Sequence, residues 1–187
     1  MAKVHFFYST MNAGKSTALL QSAHNYHETG NETILFIPRE DAERNSGLIK
    51  SRIGLSASAI VIDSELKIFE YVQKEVEKRK IDAILVDEAQ FLKKHHVLQM
   101  CKICDELEIP VMCYGIRTDF RGELFEGSGS LLALADNLIE LKTVCNECSK
   151  KATMVVRLDE NGKVVTKGSK VQIGGNDVYR VLCRKTF

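Results

Sequence analysis

The chain has 187 residues and a formal net charge of +1, from 26 lysines and arginines against 25 aspartates and glutamates. With 44% hydrophobic and 27% charged residues it has the composition of a globular protein, which excludes wholesale disorder and suits one domain or a domain with a small appendage. The near-neutral charge disfavours a surface that binds nucleic acid or acidic membranes in general, but it does not exclude a local basic channel. No apolar run approaches the ~18 residues that a membrane span needs.

The chain up to about residue 142 alternates short apolar runs with amphipathic stretches. Apolar runs predict buried strands, and apolar residues spaced three and four apart predict helices. In chain order we predict strands at residues 4–8, 33–37, 59–62, 81–86, 111–114 and 138–141, and helices at residues 15–28, 66–76, 97–107 and 130–135. Strands that are apolar on both faces and alternate with helices imply an α/β fold, a parallel sheet covered by helices.

The pattern changes after residue 142. Short β-like runs follow at residues 153–158, 163–165 and 178–182, and no strong helix pattern remains. We therefore predict two units, an α/β domain at residues 1–142 and a small C-terminal β subdomain at residues 143–187.

Residues 9–17, Ser-Thr-Met-Asn-Ala-Gly-Lys-Ser-Thr, join the first predicted strand to the first helix, which is the position of a phosphate-binding loop. Backbone N–H groups at the helix start hold anionic oxygens, Lys15 reaches the transferred phosphate, and Ser16 can bind Mg²⁺. The strict pattern begins with glycine, whereas this chain has Ser9. The alternative is a helix capped by Asn12 beside a solvated lysine.

The pair Asp87-Glu88 follows the most strand-like run of the chain. An acidic residue at the carboxyl end of a buried parallel strand faces the crevice in which ligands bind. In phosphate-loop enzymes an Asp at this position holds Mg²⁺, which leaves Glu88 for another role. The loop and the pair together predict a nucleotide site.

These motifs resemble, in sequence order, those of the type II thymidine kinases, most closely the bacterial and phage branch. The matching segments are residues 11–17, 87–91, 114–122, 145–148, 173–176 and 183–185. The resemblance implies a phosphate-loop α/β fold with a C-terminal zinc ribbon and a loop that closes over the substrate. It implies transfer of the γ-phosphate of ATP to the 5′-hydroxyl of thymidine or deoxyuridine, which gives dTMP in nucleoside salvage. It also implies a homotetramer inhibited by dTTP. The composition and the near-neutral charge lead us to expect a cytoplasmic protein with neither nucleic acid nor membrane as a partner.

The resemblance also assigns residues to catalysis and phosphate binding. Glu88 matches the general base, whose carboxylate accepts the proton of the attacking hydroxyl; a charge at a helix N-terminus is the alternative. Arg44 matches an arginine of the phosphate site, or is a solvated loop arginine. The residues matched to ATP are Ser9, Thr10, Met11, Asn12, Ala13, Gly14, Lys15, Ser16, Arg44, Asp87 and Gln90, with Ser16 and Asp87 on Mg²⁺.

For the nucleoside, the resemblance implies a pocket with aromatic walls and a closing loop. Aromatic faces stack on a pyrimidine base, and backbone groups of the loop read its edge. The residues matched to the substrate are Phe91, Phe120, Phe125, Lys170, Val171, Gln172, Ile173, Gly174 and Tyr179. Each Phe taken alone is more typical of a core.

Three of the six cysteines match the structural zinc ribbon of the family. Cys145 and Cys148 stand at the entry of the C-terminal subdomain and Cys183 at its exit, and soft thiolates with such spacing hold one tetrahedral ion. The fourth family ligand, a His or Cys, would fall at position 186, where this chain has Thr186. Threonine is a poor zinc ligand, so water, the terminal carboxylate, a distant His and an empty site all remain open.

Two other pairs of residues resemble metal ligands, but we expect neither pair to bind a metal. Cys101 and Cys104 lie on the apolar stripe of a predicted helix, where small buried thiols are ordinary core residues. His95 and His96 begin the same helix and are expected to be a solvated pair.

Two other functions remain open at this stage. The first is a related nucleoside kinase with another base preference. The second is a phosphate-loop ATPase whose ribbon binds nucleic acid or protein, which the near-neutral charge disfavours and which DNA-stimulated ATPase activity would support.

Overall fold

The computed structural model describes residues 1–170 and 178–187. In the α/β part the elements in chain order are β1 (Val4–Ser9), α1 (Lys15–Glu28), β2 (Thr33–Pro38), α2 (Arg39–Asn45), β3 (Leu48–Lys50), β4 (Ser56–Ser58), β5 (Ile60–Ile62), α3 (Ile68–Lys78), β6 (Ala83–Val86), a 3-10 helix (Ala89–Phe91), α4 (Lys94–Leu107), β7 (Val111–Ile116), α5 (Glu126–Leu134) and β8 (Asn137–Glu140). In the C-terminal part they are β9 (Thr143–Val144), β10 (Lys151–Ala152), β11 (Met154–Leu158), β12 (Val164–Val165) and β13 (Tyr179–Leu182).

The centre of the α/β part is a parallel sheet of six strands in the order β5-β2-β6-β7-β1-β8. All four residues of β6 are buried, and they alternate between two cores. Ile84 and Val86 pack in the core that α3, α4 and α5 cover, whereas Ala83 and Leu85 pack in the core under α1. This two-sided burial confirms the predicted parallel sheet and explains why its strands are apolar throughout.

The C-terminal part consists of β9 paired with β10 and of the antiparallel sheet β12-β11-β13. Its core is small, with buried side chains at Cys145, Ala152, Val156, Val181, Leu182 and Cys183. No helix occurs in this part among the residues that the structure describes, as the pattern predicted.

Local differences from the predicted elements have physical causes. The helix predicted at residues 130–135 begins earlier, at Glu126. The prediction missed its first turn because that turn is rich in Gly and Ser and has no apolar stripe. Helix α2 and the hairpin of β3 and β4 were not predicted, since elements this short show no clear periodicity. In α3 the core side chains are Ile68 and Val72, and the placement of Val76 on that face was wrong because it is 38% exposed.

The structure also corrects the two histidines at the start of α4. His95 is exposed, but His96 is buried, so the prediction of a solvated pair was wrong for His96. The Nδ1 atom of His96 accepts a hydrogen bond from the Lys93 backbone N–H (3.1 Å), which caps the helix. Burial lowers the pKa of His96 to about 4, so its ring is neutral.

The cysteine pair of α4 is structural. Cys104 is buried in the core and Cys101 packs against that core. Burial raises the pKa of Cys104 to about 12, so its thiol stays protonated. Among the helices described, none is both long enough and apolar enough to cross a membrane.

Candidate active site

A cavity of about 570 Å³ lies at the carboxyl ends of β1, β6 and β7. Loops that follow these three strands form most of its wall, as expected for a ligand site in a parallel sheet. Thirteen of the residues predicted for the site line it, namely Met11, Asn12, Gly14, Lys15, Ser16, Arg44, Glu88, Gln90, Phe91, Phe120, Phe125, Lys170 and Tyr179. One cavity therefore joins the predicted phosphate loop to the predicted aromatic walls.

The phosphate-binding loop occupies one end of this cavity. Gly14 precedes α1 with a φ of 72°, a left-handed conformation that favours glycine. The Lys15 ammonium is buried and donates hydrogen bonds to the Thr10 carbonyl (2.7 Å) and the Ser9 hydroxyl (3.2 Å). Ser9 and Thr10 thus hold Lys15, while Ala13 completes the loop without lining the cavity.

Ser16 and Asp87 bring two oxygen donors together beside the loop. The Ser16 hydroxyl donates a hydrogen bond of 2.7 Å to Oδ2 of Asp87, which is 2% exposed. Burial raises the pKa of Asp87, and the hydrogen bond from Ser16 opposes the shift. Hydroxyl and carboxylate oxygens are ligands that Mg²⁺ prefers, so this pair fits a magnesium ion.

Glu88 lines the cavity between the loop and the aromatic walls. Burial, followed by the charge of Asp87, raises the pKa of the Glu88 carboxyl to about 7. Its φ is 48°, a conformation that a non-glycine residue adopts at a cost of order 1–3 kcal/mol. Such a raised pKa and such a backbone are typical of functional sites.

Gln90 connects Glu88 to β7. Its Nε2 donates a hydrogen bond to the Glu88 carboxylate, and its Oε1 accepts one from the Ile116 N–H (3.2 Å). A Cβ atom on Gly115 would lie 2.9 Å from the same Oε1, so only glycine leaves room for this side chain. The prediction that Gln90 binds ATP stays a prediction; Gln90 lines the cavity, and its amide contacts the Glu88 carboxylate there.

Aromatic side chains line the other end of the cavity. The rings of Phe91 and Phe125 meet edge to face, with centroids 5.8 Å apart. Phe120 is buried, and the guanidinium carbon of Arg157 lies 4.0 Å from its ring centroid. Aromatic side chains grouped in this way suit a flat base.

The buried carboxylate of Asp119 organises the loop that carries Phe120 and Phe125. Its Oδ1 accepts hydrogen bonds from the backbone N–H groups of Arg121 (2.9 Å) and Glu123 (3.0 Å), and its Oδ2 accepts from the Arg121 guanidinium (2.9 Å). Asp119 lies within the matching segment 114–122 but was not predicted as a site residue. A buried acid that accepts several local N–H bonds fixes a loop, and an Asp followed by turn residues is the signal for it.

The hairpin of β3 and β4 adds basic side chains near the phosphate loop that the sequence did not reveal. Lys50 and Arg52 line the cavity with Arg44, and the charge of Arg52 is among those that lower the pKa of Lys15, although burial is the main cause. Other lining residues that were not predicted are Thr17, Asp41, Ser51, Ile53, Ile116 and Val155. The hairpin gave no sequence signal because its strands have three residues each.

The C-terminal part closes the aromatic end of the cavity with Val155, Lys170 and Tyr179. Arg157 supports this wall, since its guanidinium donates hydrogen bonds to the carbonyls of Ser169 (2.8 Å) and Lys167 (3.1 Å). The remaining residues predicted for the closing loop, Val171, Gln172, Ile173 and Gly174, lie outside the described residues.

A cluster of three thiols lies in the core of the C-terminal part. The sulfur atoms of Cys145, Cys148 and Cys183 lie within 4.8 Å of one another, and those of Cys148 and Cys183 are 3.8 Å apart. Three sulfur donors at such separations fit a single zinc ion. Within the described ranges this is the group of His, Cys and acidic side chains close enough to hold a metal.

Comparisons with known proteins point to one family, and the matches extend over the whole chain or nearly so. Residues 2–187 match the family model described as thymidine kinase. The chain is 51% identical over 187 residues to the thymidine kinase of Zymomonas mobilis, which covers 100% of this chain and 96% of that protein. It is 50% identical to the thymidine kinases of Rhodopirellula baltica, over 100% of this chain and 88% of that protein, and of Haemophilus influenzae, over 98% and 95%.

Proposed function

This chain belongs to the thymidine kinase family, and we propose that its cavity transfers the γ-phosphoryl group of ATP to the 5′-hydroxyl of thymidine. The observation that carries the proposal is the position of Glu88. Its carboxylate lines the same cavity as the phosphate-loop Lys15 and the aromatic Phe120 and Phe125. A base between a triphosphate site and a nucleoside site is what phosphoryl transfer to a hydroxyl requires.

The residues around the loop bind and position the phosphates. The ammonium of Lys15, held by Thr10 and Ser9, faces the transferred group together with the N–H groups at the start of α1. Arg44 and Arg52 also line the cavity and add positive charge to it. Ser16 and Asp87 would hold Mg²⁺, which neutralises charge on the phosphates when it is bound with ATP.

Glu88 moves the proton. Its carboxylate accepts the proton of the 5′-hydroxyl as that oxygen forms a bond to the γ-phosphorus, and the bond from this phosphorus to the bridging oxygen breaks to release ADP. Asp87 accepts the hydrogen bond from Ser16 and is assigned to Mg²⁺ rather than to the proton transfer. Gln90 keeps the Glu88 carboxylate oriented into the cavity.

The aromatic end of the cavity suits the base. Phe91, Phe120 and Phe125 provide faces and edges for a pyrimidine, and apolar side chains around them suit the thymine methyl. Val155 and Tyr179 close this end from the C-terminal part. Deoxyuridine, which lacks only that methyl group, is expected to be a second and poorer substrate.

The three thiols of Cys145, Cys148 and Cys183 are assigned a structural zinc. The ion would tie the entry of the C-terminal part to its exit and so support the wall that carries Tyr179. It takes no part in phosphoryl transfer in this proposal.

The physiological setting follows from the family and from the substrates. An enzyme that uses ATP and supplies dTMP for salvage is placed in the cytoplasm. A nucleotide that carries both thymine and a triphosphate would reach both ends of the cavity, which suits dTTP as a feedback inhibitor. The homotetramer rests on the resemblance of the motifs alone.

The test is phosphate transfer by the purified full chain from ATP–Mg²⁺ to thymidine, deoxyuridine and deoxycytidine, with zinc measured on the same sample. We expect thymidine-dependent formation of dTMP, a lower kcat/KM for deoxyuridine and little transfer to deoxycytidine. No transfer in a folded, zinc-loaded sample would contradict the proposal. ATP hydrolysis without thymidine that DNA stimulates would support a nucleic-acid-binding ATPase instead.

A further inference from the structure

The side chain of Thr186 lies beside two of the three thiols of the C-terminal part, those of Cys145 and Cys183. Its backbone N–H donates to the Cys183 carbonyl (3.1 Å), and its hydroxyl donates to the same carbonyl (3.2 Å), which places it in the turn after β13. The Oγ1 atom lies 3.4 Å from the sulfur of Cys183 and 3.6 Å from that of Cys145. An oxygen from a residue 41 positions away along the chain thus stands beside the Cys145 sulfur.

These separations match the edges of a tetrahedron around one zinc ion. Zinc binds sulfur at about 2.3 Å and oxygen at about 2.1 Å, so tetrahedral geometry requires sulfur–sulfur edges of about 3.8 Å and sulfur–oxygen edges of about 3.6 Å. The Cys148–Cys183 separation is 3.8 Å, and the two sulfur–oxygen separations are 3.4 and 3.6 Å. These three of the six donor–donor edges are those expected if the Thr186 oxygen is a fourth donor.

We propose that the Thr186 hydroxyl is the fourth ligand of the zinc site, which gives three sulfur donors and one oxygen donor. The inference rests on the proposed zinc at Cys145, Cys148 and Cys183 and goes beyond it. A neutral hydroxyl is a weaker donor than a thiolate or an imidazole. The site is consequently expected to hold zinc less tightly than a four-thiolate site and to exchange it more readily.

Three substitutions separate the possible roles of this side chain. Thr186→Ser keeps the hydroxyl, Thr186→Val keeps the shape without it, and Thr186→Cys replaces the oxygen by sulfur. Thr186 is exposed in the turn, so the variants are expected to fold, which a thermal melt checks. The full-length apoprotein is titrated with Co²⁺ while its absorption is recorded, and zinc affinity is measured by competition with a chelator.

We expect Thr186→Val to bind zinc about 10-fold or more weakly than the native chain, and Thr186→Ser to bind it nearly as well. Thr186→Cys should bind more tightly and increase the sulfur-to-cobalt charge-transfer absorption by about a third, because cobalt–sulfur bonds rise from three to four. Native affinity in Thr186→Val together with unchanged absorption in Thr186→Cys would overturn the inference, since a solvent molecule would then supply the fourth donor.

Failure of the zinc assignment itself has a different signature. If the native chain and the Cys145→Ser variant both bind no Co²⁺ or Zn²⁺, the metal site is absent and the inference falls with it. Neither result depends on transfer to thymidine, so the kinase proposal is tested separately.

Discussion

At the scale of single residues, Glu88 combines three features that suit a general base. Its pKa is raised to about 7 by burial and by the charge of Asp87, so that near neutral pH about half of it is ionised. Its left-handed backbone, with a φ of 48°, turns the chain sharply after β6. Gln90 holds the carboxylate by a hydrogen bond. The surrounding packing holds Glu88 in this conformation despite its cost in free energy.

The Glu88→Gln substitution is expected to lower kcat by ~10²–10⁴-fold while ATP and thymidine still bind, because the amide keeps the shape but cannot accept the proton. Turnover is measured by steady-state kinetics and binding by calorimetry. Glu43→Gln, at an exposed position of α2, is the matched control and should leave both unchanged. Unchanged turnover in Glu88→Gln would remove Glu88 from this role.

The same residue predicts a pH dependence. Below its pKa Glu88 is protonated and cannot act as a base, so kcat/KM should rise about tenfold per pH unit at low pH and level off above pH about 7. The acidic limb should disappear in Glu88→Gln. Persistence of that limb in the variant would assign it to another group.

At the scale of elements, the packing of α5 on the 3-10 helix Ala89–Phe91 positions the catalytic segment. Gly127 of α5 meets this segment so closely that a Cβ atom there would lie 2.4 Å from the Ala89 carbonyl oxygen and 2.7 Å from that of Leu92. The contact holds the segment that carries Gln90 and Phe91 against β7. A glycine in a helix is here a packing requirement rather than a weak point.

The Gly127→Ala substitution is therefore expected to lower stability by about 1–3 kcal/mol and to reduce kcat/KM for thymidine, because backbone atoms must move to admit the methyl group. A thermal melt and steady-state kinetics measure the two effects. Gly129→Ala on the same helix is the control, since its Cβ would meet only the Leu124 side chain at 3.8 Å or more. Equal losses in the two variants would show that the close contact at position 127 is not responsible, since helix propensity alone favours Ala over Gly at both positions.

At the scale of the whole molecule, the two parts of the chain share one active site. The Arg117 guanidinium donates to the Thr153 carbonyl (3.2 Å), and Lys151 pairs with Glu140 (2.7 Å). Arg157 lies over Phe120, so a residue of the C-terminal sheet supports the aromatic wall of the α/β part. The core of the C-terminal part is small among the described residues, so these contacts and a metal are expected to stabilise it.

Removal of zinc with a chelator should therefore raise the KM for thymidine by about 10-fold or more, with a smaller change in the KM for ATP. The reason is that the C-terminal part contributes Val155, Lys170 and Tyr179 to the aromatic end of the cavity, whereas the phosphate loop connects β1 and α1 in the α/β part. Kinetics before and after chelation measure this, and added Zn²⁺ should restore the native KM. An equal rise in both constants would argue for general unfolding instead.

The amino-acid sequence by itself determined the features that depend on residues close together in the chain. The parallel sheet followed from apolar runs and helical periodicity, and helix α1 has the bounds predicted, Lys15–Glu28. The phosphate loop and the Asp87-Glu88 pair were recognisable because a loop between a strand and a helix needs particular residues at consecutive positions. The motifs and their order in the chain were enough to identify the family.

Only the tertiary structure decided which distant residues meet. The hairpin that brings Lys50 and Arg52 to the cavity, the stacking of Arg157 on Phe120 and the approach of Thr186 to Cys145 all join segments far apart in the chain. No periodicity records such contacts, because they depend on how whole elements pack. The sequence shows only that Thr186 stands at the position of a family ligand, whereas the structure places its oxygen 3.4 Å and 3.6 Å from the sulfurs of Cys183 and Cys145.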